Sequence, residues 1–418
     1  MPPGYPLDRA ELIDNGRFDA GSRGWSTAWT KNEPLPSEFR KGGNALHFRG
    51  NTQRKLREGA LKPGHSYVLS FVAKAGDAAE GSISLRFREP KGTAFRSFSA
   101  KVKGAAFHTG SIEFTAPVFA KHAELAITRG LVVDLLSLKM RPPLPRTETV
   151  KSWDDSFVPA GYALVFNDEF SDSELDRSRW FTRYIHESGA GDRLNDEQQL
   201  YTDAGTHVVK NGVLRLVAKR LATPARPGID YESGMIRSDF TLRHGFLEAR
   251  VKMPGARGVA AAFWLNSDVA ASGRLNWPPE IDVFEFVNNG KDDLTNKLHL
   301  AASVFPQRSP VVYTHASAGF DKKRGDYHAA FDFSADYHTV GLEWTAEHLT
   351  TYVDGLKIAT RKFQWRYRDG EPAGPAHILF NLAIGGGWAG RYGIDDAAFP
   401  QAFEIDWVRV YQKRGAPR

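Results

Sequence analysis

The chain contains no cysteine and only four methionines. The first absence rules out disulfide scaffolds, thiolate-held zinc, iron–sulfur clusters and thiol nucleophiles. No run approaches the roughly 18 apolar residues of a membrane span, so a membrane is not an expected partner. Long helical periods, short-period repeats and low-complexity tracts are missing as well. There is no Gly-x-Ser-x-Gly elbow, no His-Glu-x-x-His pair and no P-loop. Gly385-Gly386-Gly387 lacks the Lys-Ser/Thr that phosphate binding needs and reads as a turn. The opening residues Met1–Asp8 have neither the basic nor the apolar region of a signal peptide. That leaves a cytosolic protein or a mature exported chain, between which only a functional argument decides.

What is present suits a turn-rich β protein. The 418 residues include 39 glycines and 23 prolines, with 12% aromatics, and the length asks for two domains. Arg141-Pro-Pro-Leu-Pro145 followed by a polar run marks a linker over 141–156, between a front domain (1–140) and a back domain (157–418). In the front, Ile83, Leu85 and Phe87 alternate with Ser84, Arg86 and Arg88, the pattern of a half-buried strand. The same pattern recurs in the back, as in Gly245–Lys252, Thr339–Trp344 and Phe403–Tyr411. The fold class is therefore all-β, with a β-sandwich in front. The net charge of +6 is uneven: residues 1–140 hold 21 Lys+Arg against 13 Asp+Glu. A basic front attracts anionic polymers or merely keeps the chain soluble.

The informative segment is Trp277-Pro-Pro-Glu280-Ile-Asp282-Val-Phe-Glu285-Phe-Val287. Its β-branched and aromatic content predicts a strand. On a regular strand Glu280 and Asp282 share a face and Glu285 points the other way. A β-bulge at Val283–Phe284 absorbs one residue and returns Glu285 to the same face. Three carboxylates there raise the proton affinity of at least one. A retaining glycosidase requires one ionised carboxylate and one protonated carboxyl about 5–5.5 Å apart. Acidic residues are poor strand formers, so solvation alone is a weak reason for three of them. Phe403-Glu404-Ile405-Asp406 repeats the first half of the pattern, but residue 409 is Arg, and that strand reads as structural.

With these residues in view, the back domain resembles glycoside hydrolase family 16, in its laminarinase-like form with a bulged Glu-x-Asp-x-x-Glu strand. The resemblance runs over about 160–413, through Leu164–Phe170, Asn195–Thr202, Tyr231–Arg237, Gly245–Pro254, Ala262–Leu265, Tyr352–Gly355, Asn381–Trp388 and Asp406–Tyr411. It implies a concanavalin-like β-jelly-roll with an open cleft, and an endo-acting retaining hydrolase of a β-1,3- or mixed-linked glucan that needs no catalytic cofactor. It further implies Glu280 as nucleophile, Glu285 as general acid/base and Asp282 as the residue tuning the nucleophile. Trp264, Trp277 and Trp388 are the implied sugar-stacking aromatics, Asn195 and Arg237 the hydroxyl-binding residues, and His299 a further cleft residue. Glu169 and Asp406 match the family's acids for one structural Ca2+. The chain departs from the family's common form at Val259-Ala-Ala-Ala262 and in the small, polar loop Asn266–Asn276, which suggests a broader cleft.

Glu11–Trp25 is similar to the opening of family 4/9 carbohydrate-binding modules, which implies glycan binding in front through an exposed aromatic, with Trp29 the candidate and Trp25 in the core. The expected partner is then a polysaccharide, bound by a monomer that is secreted or periplasmic, with no nucleic acid involved. An anionic, succinoglycan-like exopolysaccharide or an algal galactan is the alternative substrate, favoured by the basic front. A non-catalytic glycan-recognition protein ranks below both, because all three carboxylates are retained.

Overall fold

The computed structural model describes residues 12–415 apart from 14–15, 17, 19, 21, 26–31, 39–42, 57–60, 62–65, 78, 89–94, 118–122, 141–146, 178, 187–188, 268–276 and 304–310. The chain divides into two compact units, Tyr5–Pro142 and the residues from Pro143 onward. Among the described residues, helix is confined to the single turns Gly386–Ala389 and Asp396–Ala398.

The front unit is a sandwich of one five-stranded and one four-stranded sheet. Ile83, Leu85 and Phe87 are fully buried, as their alternation requires. Trp25 is also in this core, edge-on to Phe18 and Phe48. None of the large exposed apolar side chains among the described residues falls before Trp153. Trp29, the expected glycan contact, lies outside the described residues.

The back unit is a β-jelly-roll of an eleven-stranded and an eight-stranded sheet. The eight-stranded sheet runs Trp180–Phe181, Met235–Leu242, Ala376–Ile384, Val259–Ser267, Glu280–Asn288, Lys297–Ser303, Asp326–His328, Phe320–Asp321. Its inward residues, among them Phe263, Leu265, Ile281, Phe286, Leu298, Phe380 and Leu382, meet Leu247, Leu342, Phe403 and Val408 of the other sheet in one buried core. Burial of this kind is worth about 1.5–3 kcal/mol per large apolar side chain, and it pins the register of the strands that carry the outward residues.

The linker expected over 141–156 is shorter than its composition suggests. The described part, from residue 147, is fastened to the back unit. The Glu148 N–H donates to Asn167 Oδ1 at 2.8 Å, the Lys151 ammonium to Asp406 Oδ1 at 2.6 Å, and the Ser156 hydroxyl to Glu248 Oε1. Polar residues read as solvated spacer because their partners lie far along the chain.

Candidate active site

Glu280–Asn288 lies in the middle of the eight-stranded sheet, between Val259–Ser267 and Lys297–Ser303. Glu280 stands opposite Asn266 and Ser303, and Asp282 opposite Trp264 and Ala301. The register then slips. Glu285 stands opposite Ala262 and His299, so three steps on this strand match two on its neighbours. The slip falls at Val283 and Phe284, both of which point into the core. An extra inward residue of this kind turns the next side chain back to the original face. Glu280, Asp282 and Glu285 thus share the outward face of the sheet.

Their environment separates their protonation. Burial pushes the Glu285 carboxyl up to about 7, and the neighbouring Glu280 charge adds to the effect. Asp282 is raised well above the usual carboxylate range, first by burial and then by the charges of Glu280 and Glu285. Glu280 is raised by burial too, but the Trp277 indole N–H and a hydrogen bond from Asp282 hold it down. Within this pair the hydrogen bond favours the proton on Asp282 and the charge on Glu280. An ionised carboxylate beside a protonated carboxyl is what nucleophilic attack with acid assistance at an acetal carbon needs.

The remaining expected residues divide. Trp277 is half-buried beside Glu280, packed on Trp264 with ring centroids 5.6 Å apart. Trp388 is 42% exposed. Asn195 is exposed in the left-handed region at φ 46°. His299 is half-buried, its Nδ1 2.7 Å from Asp326 Oδ1 and its ring edge-on to Trp388. Trp264 and Arg237 differ from expectation. Both sit on the outward face by register, yet they are only 4% and 1% exposed. Trp264 is covered by Tyr184, Leu194 and Trp277, and its indole N–H donates to Asn381 Oδ1 at 2.8 Å. Neither offers a free surface to a sugar. They are built into the structure beneath that face.

Sequence reasoning passed over Glu197. Burial pushes its carboxyl up to about 7, against hydrogen bonds from the Leu194 N–H at 3.1 Å and Gln199 Nε2 at 2.7 Å. The signal was available in Asn195-Asp-Glu-Gln-Gln, where two consecutive carboxylates are set among amides. Asp293 and Asp326 were missed as well, and nothing in their local sequence separates them from surface acids.

The expected Ca2+ pair does not fit a metal. Glu169 is fully buried and takes two hydrogen bonds from Arg409, at 2.8 and 2.9 Å, plus one from Asn167 Nδ2 at 2.9 Å. Asp406 is paired with Lys151 at 2.6 Å and Arg250 at 2.9 Å. Side-chain cations already occupy the lone pairs that Ca2+ would use. Among the described residues no group of three potential metal ligands comes together.

A jelly-roll whose outward face carries three clustered carboxyls of raised proton affinity has the site that a glycoside hydrolase uses. The model of Glycosyl hydrolases family 16 matches residues 195–409, just over half of the chain, and the chain belongs to that family. A β-glucanase of Rhodothermus marinus is 28% identical over 264 residues, covering 60% of this chain and 85% of that protein. A glucan endo-1,3-beta-glucosidase A1 of Niallia circulans is 28% identical over 275 residues, 61% of this chain and 38% of the other. The endo-1,3-1,4-beta-glycanase ExsH of Rhizobium meliloti is 29% identical over 266 residues, 59% of this chain and 51% of the other. The matched region spans most of the first relative and about half or less of the other two.

Proposed function

We propose that the protein is an endo-acting, retaining hydrolase of β-1,3- or mixed-linked β-glucan. The observation that carries this reading is the outward trio, with Glu285 raised to about 7 and the Glu280 charge favoured by hydrogen bonds from Trp277 and Asp282. The names of the three relatives support the substrate class.

In this reading Glu280 attacks the anomeric carbon while Glu285 gives its proton to the departing glycosidic oxygen. One C–O bond breaks as the glycosyl ester forms. Glu285, now ionised, takes a proton from water as that water attacks the same carbon and releases Glu280. Asp282 keeps its proton throughout and offers it as a hydrogen bond to the Glu280 carboxylate before attack and again on release. Trp277 and Trp388 stack on sugar faces, and Asn195 and His299 bind hydroxyls. The front unit is a glycan-binding module, supported by its local likeness to family 4/9 modules and by its basic charge. The protein acts as a monomer outside the cytoplasm, where a polymer that cannot cross the membrane is met.

The test is Glu280→Gln assayed for reducing ends on a panel of β-glucans, galactans and acidic exopolysaccharides. Turnover is expected to vanish while folding and glycan binding persist. Near-normal activity in this variant overturns the assignment, and wild-type activity on the acidic polymers alone overturns the substrate.

A further inference from the structure

Trp388 follows a glycine turn that is tied down by Asp196. The Gly387 N–H donates to Asp196 Oδ2 at 2.7 Å. Gly385 and Gly386 both have positive φ, and a Cβ on either would strike Gln198 or Asp196. The ring is tied as well: its Nε1–H donates to Asp293 Oδ2 at 2.9 Å. An indole 42% open to solvent has little packing of its own to hold it. Its orientation rests on these two aspartates.

Asp293 is the more informative of the two. It is 6% exposed and sits in the turn that directly follows the carboxylate strand. Asn289 Oδ1 caps that turn by accepting the N–H groups of Lys291, Asp292 and Asp293. Asp293 Oδ2 also accepts from Asn289 Nδ2 at 3.0 Å, while Oδ1 accepts from Lys297 Nζ at 2.8 Å and lies 3.1 Å from His299 Nε2. The neighbouring Asp292 takes the Tyr392 hydroxyl at 2.6 Å, so two consecutive aspartates fasten the Trp388–Tyr392 segment to the end of the carboxylate strand. His299 stands opposite Glu285 and edge-on to the Trp388 ring, 4.9 Å between centroids.

We infer that Asp293 is a positioning residue for glycan binding: it presents Trp388 and His299 as one rigid surface on the Glu285 side of the cleft. An ordered aromatic binds a sugar face without the ordering cost that a mobile one incurs. Asp293 acts through Trp388 and touches no substrate. The inference rests on the glycan-hydrolase reading above.

Two variants separate this role from general stability. Trp388→Phe keeps an aromatic ring and leaves the Asp293–Lys297 pair intact, but removes the N–H. Asp293→Asn keeps the volume and loses one acceptor. With a soluble β-1,3-glucan, each is expected to raise KM about five-fold with a smaller change in kcat, the effect of one lost orienting hydrogen bond. In a Trp388→Ala background Asp293→Asn is expected to add only what it costs through His299, well short of its effect in the wild type. A wild-type KM in Trp388→Phe, or losses that add in the double variant, overturns the inference. The Trp388 indole proton supplies an arm free of substrate. It is expected to exchange slowly in the wild type and at least ten-fold faster in Asp293→Asn; equal rates overturn the tether itself. Failure of the hydrolase reading shows differently, as a wild type that cuts no β-glucan.

Discussion

Replacing Glu285 with Gln should stabilise the protein at alkaline pH and leave it unchanged at acid pH, while abolishing hydrolysis. Burial and the adjacent Glu280 lift the Glu285 carboxyl from 4.5 to about 7. At about 1.4 kcal/mol for each tenfold change in proton affinity, the ceiling on the folding cost of the charged form is about 3 kcal/mol. Glu285 is half-buried, and solvent screening brings the expected figure to about 2 kcal/mol. The folded chain holds this proton more tightly than the unfolded chain. Below pH 4.5 both are neutral and the group contributes nothing. Between pH 4.5 and 7 the unfolded chain ionises first, and stability falls as pH rises. Above 7 the folded chain carries a charge its surroundings disfavour. Gln removes that charge at nearly constant volume. Calorimetry at pH 4 and pH 8 should show a Tm gain of roughly 4–8 °C for the catalytic transition at pH 8 and almost none at pH 4. An equal difference at both pH values, or a loss at pH 8, would refute the reasoning, because the carboxylate would then not be the strained group.

Other outcomes follow from the same geometry. Trp277→Phe removes a hydrogen bond that lowers the Glu280 pKa, so the acidic limb of kcat/KM should move to higher pH; an unmoved limb in a stopped assay from pH 4 to 9 counts against Glu280 as the ionised group. Wild-type kcat/KM should fall on the alkaline side with an apparent pKa near the 7 of Glu285, the acid that must be protonated; a profile flat to pH 9 contradicts that role. EDTA or added Ca2+ should leave the melting temperature unchanged, whereas Arg409→Met, which strands a buried Glu169, should cost about 3–5 kcal/mol by denaturant titration. A Ca2+-dependent rise in Tm would show that the Glu169–Arg409 pair does not fill the metal's place.

By itself the sequence determined what depends on local pattern. Alternation of apolar and polar residues, breaks at Gly and Pro, and the density of aromatic and β-branched side chains marked the strands and the all-β class. Glu280, Asp282 and Glu285 were assigned to one strand with a chemical role because acids disfavour strands, and three of them among β-formers are costly to keep for solvation alone. Covers and partners were decided only by the tertiary structure. Trp264 shares a face with Asp282, yet a segment some 70–80 residues earlier, carrying Tyr184 and Leu194, closes over it. Glu169 reads as a metal ligand until Arg409, 240 positions away, is found against it. Asp293 is one acid among many in the sequence, and it becomes distinct where the chain returns with Trp388, 95 residues on. The physical reason is common to all three. Which way a side chain points is a property of the strand it belongs to, whereas desolvation and charge pairing depend on whichever remote segment comes to lie against it.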